Sequence, residues 1–247
     1  MSSLNLQNKR MVKEYYDRLY GADESNIGEI LSDYFTEDTS FDCSHPVNHI
    51  QGLKAMIEQF WKPFLRAFPD ALKHPYILTG ATDVNCEGQE TEFKNSDWVC
   101  ANGYYEATFT EEFLDIPPTG GVVYIRFCEC SQIKDGKIVQ TYMLLDLLDL
   151  LAQAGYVFFN ALGNECMIPG PRTFDGVILE ESDAEKGSAS INLITNMHED
   201  LNTFADSGYE GFNLETKFKK DFSWYGPYGI GVCKGIEGFQ KFHQVHG

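Results

Sequence analysis

Apolar positions recur at helical spacing three times before residue 70. Val12, Tyr15, Tyr16 and Leu19 fall at i, i+3, i+4 and i+7. Ile27, Ile30, Leu31, Tyr34 and Phe35 repeat the pattern, and Leu53, Met56, Ile57, Phe60, Trp61, Phe64, Leu65 and Phe68 form the longest stripe. That period gives each segment one apolar face, so three amphipathic helices are predicted to open the chain. After Phe68-Pro69-Asp70 the period changes. Stretches at 75–84, 96–102, 104–113, 121–133 and 137–145 are rich in β-branched and aromatic residues and predict strands. Asp135-Gly136 between the last two predicts a two-residue hairpin, because a type I′ turn needs positive φ at both central positions. Leu147 to Ala154 reads as a short helix closed by Gly155. Helices segregated from an antiparallel sheet predict an α+β domain.

The opening pattern returns near the C-terminus. Displaced by 183 positions without a gap, Asp17 falls on Asp200, Ala22-Asp23 on Ala205-Asp206, Gly28 on Gly211 and Leu31 on Leu214. The same shift puts Phe35 on Phe218, Asp38-Thr39-Ser40-Phe41 on Asp221-Phe222-Ser223-Trp224, and Gly52-Leu53 on Gly235-Ile236. This predicts two copies of one domain, the first over 1–160 and the second, over 191–247, holding only the helical start. Between them, residues 161–190 carry Glu165, Asp175, Glu180, Glu181, Asp183 and Glu185 against Arg172 and Lys186, with interspersed Gly and Pro, which is linker composition.

Charge narrows the partners. Lys plus Arg number 19 and Asp plus Glu 37, a net charge of −18. With no basic run, the chain lacks the electrostatic footprint for phosphate backbones, so neither nucleic acid nor an anionic membrane is an expected partner. The segment MSSLNLQNKR has no apolar h-region, and no stretch has the roughly 20 apolar residues of a membrane span; a soluble, cytoplasmic protein is predicted. Seven cysteines at irregular spacings fit neither a disulfide framework nor a zinc site, and reduced thiols are the default. Cys128-Glu129-Cys130 comes nearest to a cluster, yet residues two apart in a strand merely share a face, and no metal is expected there.

Four motifs then carry a resemblance. The stretches Phe60-Trp61-Lys62-Pro63-Phe64-Leu65-Arg66-Ala67-Phe68-Pro69-Asp70, Ile116-Pro117-Pro118-Thr119-Gly120 and Asp135-Gly136-Lys137-Ile138-Val139, followed by Asp146 and Gln153-Ala154-Gly155, stand in the order found in SnoaL-like polyketide cyclases. Trp224-Tyr225-Gly226-Pro227-Tyr228-Gly229-Ile230-Gly231 and Gly235-Ile236-Glu237-Gly238-Phe239 resemble the start of a second domain in tandem members. The resemblance implies the cone-shaped nuclear transport factor 2-like fold, a curved antiparallel sheet wrapped by N-terminal helices around an apolar pocket, often paired into homodimers through the sheet face. It also implies a small apolar ligand, no metal and no cofactor, and an intramolecular aldol or related proton transfer in which Asp146 is the general acid/base.

A carboxylate among Tyr142, Met143, Leu144, Leu145, Leu147 and Leu148 would be partly desolvated, which suits that task. Asp149 is its rival, and a strand-to-helix junction is equally where an aspartate caps a helix. The sequence departs from the family where Glu129-Cys130-Ser131-Gln132 replaces a Glu-Phe-His-Arg run, where Tyr104-Tyr105 follows Gly103 in place of a histidine-bearing motif, and where Tyr142 stands for tryptophan. Tyr16, Trp61, Phe64, Trp98, Phe109, Tyr124 and Tyr142 are candidate pocket residues, Tyr16 and Tyr142 also as hydrogen-bond donors; core packing is the competing reading for each. His45, ahead of Pro46, is a candidate for the pocket rim or an exposed loop residue. Two functions stay open: a polyketide-cyclase-like enzyme, or a non-catalytic small-molecule binding or dimerisation protein on the same fold.

Overall fold

A computed structural model describes residues 3–84, 95–156, 175–211 and 214–246. The chain divides into two compact units, one of residues 1–160 and 166–180, the other of 161–165 and 181–247.

Unit 1 begins with α1 (Leu4–Arg18), capped where the Ser3 hydroxyl accepts from the Leu6 N–H, and α2 (Ile27–Ser32). The third apolar stripe is one helical run: α3 (Leu53–Met56), a π-helical turn (Ile57–Trp61) and α4 (Lys62–Ala67). Pro63 accounts for the wide turn, since it has no N–H to donate and its ring would crowd the carbonyl one turn back. The sheet is curved and contains β1 (Phe35–Cys43), β2 (His49–Gln51), β3 (Leu72–Val84), β4 (Ser96–Thr108), β5 (Val122–Lys134) and β6 (Lys137–Leu145), in the order β2-β1-β6-β5-β4-β3. Every pairing is antiparallel except β1 with β6. A short helix, α5 (Leu147–Gln153), follows β6.

Most local expectations have visible causes. Asp135 and Gly136 both have positive φ, 51° and 74°, as the hairpin requires. The strand expected to break near residue 103 runs through it, because Gly103 lets β3 pass close; a Cβ there would stand 2.2 Å from the His74 carbonyl oxygen. Phe35, which continues a helical stripe in the sequence, instead starts β1, where Thr39 and Phe41 alternate inward between acidic neighbours.

The linker expected over 161–190 needs correction where it is described; its first part, to residue 174, lies outside the described residues. The Leu78 N–H donates to the Gly176 carbonyl at 2.9 Å and Val177 bridges Leu78 in parallel. Lys9 Nζ donates to the Ile178 carbonyl at 2.9 Å. Val177 and Leu179 alternate onto the core of unit 1, so 175–180 is a strap held by apolar contacts, and Ala184–Gly211 is helical.

Unit 2 contains α6 (Ala184–Gly211), α7 (Leu214–Lys217), β7 (Ser223–Tyr225), β8 (Val232–Lys234) and α8 (Gly235–His246), packed around Leu214 and Phe239. Its strand register matches that of unit 1 at the sequence offset. Ser40, Phe41 and Asp42 pair with Gln51, Ile50 and His49, while Ser223, Trp224 and Tyr225 pair with Lys234, Cys233 and Val232. The turn into the next helix matches too: the Gly52 N–H donates to the Thr39 carbonyl and the Gly235 N–H to the Phe222 carbonyl, both at 2.8 Å, with φ of 89° and 68°. Among the described residues no helix is long and apolar enough to cross a membrane.

Candidate active site

Alternation along β5 decides what faces the inside of the sheet. Val123, Ile125, Phe127, Glu129, Ser131 and Ile133 are buried toward the helices, and the residues between them turn to the opposite face. Glu129 is therefore a carboxylate placed in an apolar row. It is held there by partners from three elements. Lys73 of β3 forms an ion pair and hydrogen bond with Oε2, the Tyr16 hydroxyl of α1 donates to Oε1 at 3.0 Å, and Ser131 Oγ donates to Oε1 at 3.5 Å. Ser131 continues to Thr141 Oγ1 on β6 at 3.4 Å. The Lys73 and Glu129 side chains are 0% and 1% exposed.

Rings complete the surroundings. Lys73 Nζ lies 3.8 Å from the centroid of Tyr16, 4.5 Å from Phe127, 5.2 Å from Tyr105 and 5.7 Å from Tyr15. These π faces and the carboxylate favour the ammonium that burial disfavours. Burial wins for Lys73, whose pKa is lowered although Glu129 pulls it upward. Burial, reinforced by the Glu129 charge, pushes the phenols of Tyr15, Tyr16 and Tyr105 well above their usual value. Burial also pushes the inward Cys43 thiol up to about 12. A carboxylate, an ammonium, phenols and a thiol thus form one electrostatically coupled centre.

The buried inner side of unit 1 also holds unused hydrogen-bonding capacity. The Tyr105 hydroxyl, Trp61 Nε1 and Thr39 Oγ1 are buried and have no partner among the described residues. Trp61 contacts the rings of Phe60 and Phe64, Tyr105 meets Phe64 edge-on at 5.0 Å, and Thr39 shares the inner face of β1 with Phe41, whose ring lies 4.8 Å from that of Phe60. An unsatisfied buried polar atom costs about 1–3 kcal/mol. A ligand with polar atoms would recover part of that cost.

The residues expected at the site separate into two sets. Tyr16 touches the inner centre directly, Phe64 adjoins it through Tyr105 with Trp61 against Phe64, and Phe109, fully buried, lies ring to ring with Phe68 at 4.7 Å in the same aromatic cluster. Trp98, Tyr124 and Tyr142 do not join them: strand alternation turns them to the outer face, where Trp98 stacks on Tyr142 with centroids 6.0 Å apart and Tyr124 meets Tyr104 edge-on. Tyr142 accepts from Gln140 Nε2 at 2.7 Å. His45 is exposed, ahead of a cis peptide bond to Pro46.

Asp146 occupies the junction of β6 and α5 in the capping role. Its Oδ1 accepts from the Asp149 N–H at 3.2 Å and its Oδ2 pairs with Arg126 at 2.5 Å, both side chains under 10% exposed. Asp149 is buried, accepts from Gln153 Nε2 at 3.1 Å, and lies 3.9 Å from Arg126 Nε. Gln153 in turn bonds both the N–H and the carbonyl of Tyr124, taking the place of the strand that β5 lacks there. Among the described residues no group of three or more His, Cys, Asp or Glu is placed to hold a metal ion.

Lys73, Glu129, Tyr105 and Thr39 are not among the residues that the sequence pattern marks for the site. A signal existed for Glu129: it shares strand parity with Phe127, Ser131 and Ile133, so a carboxylate there must point into the core.

Against known proteins, the model of the SnoaL-like polyketide cyclase family matches residues 10–154. A search of the curated proteins returned no match. Among solved structures, the chain is similar to a SnoaL-like protein from Jannaschia sp. CCS1, with 18% identity over 64% of this chain and 97% of that one, TM-score 0.49. It is also similar to IdmH from Streptomyces antibioticus, with 21% identity over 58% and 98% of the two chains, TM-score 0.44. The family match runs from within α1 to the end of α5 and takes in the whole six-stranded sheet that holds Glu129, and the chain belongs to the SnoaL-like polyketide cyclase family.

Proposed function

We propose that the inner centre of unit 1 binds a small, largely apolar carbonyl compound and catalyses a proton transfer leading to intramolecular aldol closure, with Glu129 rather than Asp146 as the acid/base. The observation that carries this reading is the Glu129 carboxylate inside the sheet, bonded to Tyr16 and Lys73 beside the unpartnered Tyr105 hydroxyl. In this scheme Glu129 accepts a proton from the carbon next to a ligand carbonyl. Lys73 or Tyr105 stabilises the enolate oxygen, the enolate carbon attacks a second carbonyl of the same molecule, and the resulting alkoxide takes the proton back from Glu129. Atoms and charge balance without a co-reactant.

A second reading, a non-catalytic small-molecule binder, is favoured by the engagement of Asp146 in a helix cap and an ion pair at the position where the family motif carries its acid/base. Turnover of aryl β-dicarbonyl compounds, followed by chromatography and mass spectrometry, separates the two. The enzyme reading expects Glu129→Gln to lower kcat by about 100-fold or more and Asp146→Asn by less than about tenfold. Tyr16→Phe, which leaves the ion pair in place, expects an intermediate loss. Compounds that bind and are never converted favour the binder; a loss confined to Asp146→Asn overturns the assignment to Glu129.

We also read unit 2 as a second copy of the opening of unit 1. The matched strand register and the matched Gly52 and Gly235 turns support this at the same offset as the sequence identities.

A further inference from the structure

The outer face of the sheet holds a second chemical group that the proposed function does not use. Cys100 of β4 lies directly opposite Cys130 of β5, and Cys128, two residues before Cys130 on the same face, lies opposite Asn102. Tyr142 of β6 flanks Cys130, and Trp98 stacks across on Tyr142. The three thiols are free and partly exposed. Directly opposed residues of an antiparallel pair have Cα atoms roughly 4.5 or 5.5 Å apart, and disulfides form at about 4.4–6.8 Å, so either geometry admits a bond between Cys100 and Cys130.

Cys128 Sγ donates to Asn102 Oδ1 at 3.8 Å, so of the three thiols it is the one engaged outside the Cys100–Cys130 pair. Beside Cys130, Cys100 has a pKa below that of an ordinary thiol, while its interaction with Cys100 lifts Cys130 to about 12, and Cys130 together with burial pushes Cys128 up. Reactivity follows the thiolate, so Cys100 is the nucleophile of the three.

We propose that Cys100 and Cys130 form a hydroperoxide-responsive dithiol, with Cys100 as the attacking sulfur and Cys130 as the resolving one. The Cys100 thiolate attacks the peroxide oxygen, the O–O bond breaks, and the departing alkoxide or hydroxide takes up a proton. Cys130 sulfur then attacks the Cys100 sulfenic acid, the S–O bond breaks, water leaves, and the S–S bond closes across β4 and β5. Two thiols lose two electrons and two protons, and the hydroperoxide is reduced to an alcohol, or water, plus one water.

The test treats the full chain with hydrogen peroxide, blocks remaining thiols with iodoacetamide and maps disulfides by mass spectrometry. The expected result is a Cys100–Cys130 linked peptide within one chain, reversed by dithiothreitol and retained in Cys128→Ser. In Cys130→Ser, dimedone traps a sulfenic acid on Cys100. Fluorescence of Trp98, beside the new disulfide, falls on oxidation of the wild type and not of Cys130→Ser. The proposal is overturned by the absence of a link at peroxide levels that oxidise free cysteine, by a disulfide mapping to another pair or between chains, or by dimedone labelling Cys130 in Cys100→Ser as fast as Cys100 in Cys130→Ser.

Discussion

Lys73 and Glu129 meet inside the sheet of unit 1 with both side chains closed off from solvent. Such a pair is not a simple source of stability, because removing two charges from water costs about as much as their attraction returns. The asymmetry lies in breaking it. Lys73→Met should destabilise the domain by about 3–5 kcal/mol, since it strands a buried carboxylate, whereas Lys73→Met combined with Glu129→Leu should recover most of that loss. Urea unfolding of the three proteins checks this; a single variant as stable as the double would contradict it.

The three raised phenols make an alkaline prediction. In the unfolded chain Tyr15, Tyr16 and Tyr105 ionise near their ordinary value of 10, whereas in the fold burial and Glu129 hold them protonated to higher pH. A folded pKa above the unfolded one contributes stability that is full below pH 10 and lost as pH rises further. Lys73 has the opposite sign: its lowered pKa costs stability that is relieved as pH climbs toward 10.5. With three phenols against one amine, stability should fall above pH 10. The 295 nm absorbance of tyrosinate from these three should then appear together with unfolding rather than before it.

Unpartnered polar atoms predict a separation of stability from binding. Tyr105→Phe removes a buried hydroxyl that has no partner among the described residues, so the unliganded protein should become more stable by about 1 kcal/mol or remain unchanged. Affinity for carbonyl compounds bound at the centre should fall in the same variant. Thermal unfolding with and without ligand measures both. A variant that loses stability yet keeps its affinity would place the ligand elsewhere.

At the other end of β6, Asp146 supports α5 by its cap and by Arg126. Asp146→Ala should cost about 1–3 kcal/mol, combining a lost cap with a shielded guanidinium deprived of one carboxylate. Asp146→Asn keeps a capping oxygen and should fall between wild type and Asp146→Ala in chemical denaturation.

Much of this architecture can be read from residue order. The helical stripes, the Asp135-Gly136 turn, the helix closed by Gly155 and the family motifs all rest on local periodicity or on single residues with narrow backbone preferences. What local pattern does not carry is which face of a strand a residue takes once registers are set. Trp98, Tyr124 and Tyr142 look like pocket aromatics by type, and strand parity turns all three outward. Glu129 looks like a spacer between two cysteines, and the same parity turns it inward onto Lys73, a residue far away in sequence and ahead of the stretch expected to be a strand. Strand β1 was hidden because Glu37, Asp38 and Asp42 interrupt its apolar alternation and because Phe35 completes a helical stripe.

A crystal structure of the protein with the first aryl β-dicarbonyl compound found to bind tests the role of Glu129 at the inner centre. Ligand oxygens are expected within hydrogen-bonding distance of Tyr105, Trp61 or Lys73, with an acidic carbon facing Glu129. A ligand seated against Asp146, or on the outer face beside Trp98 and Tyr142, would contradict it.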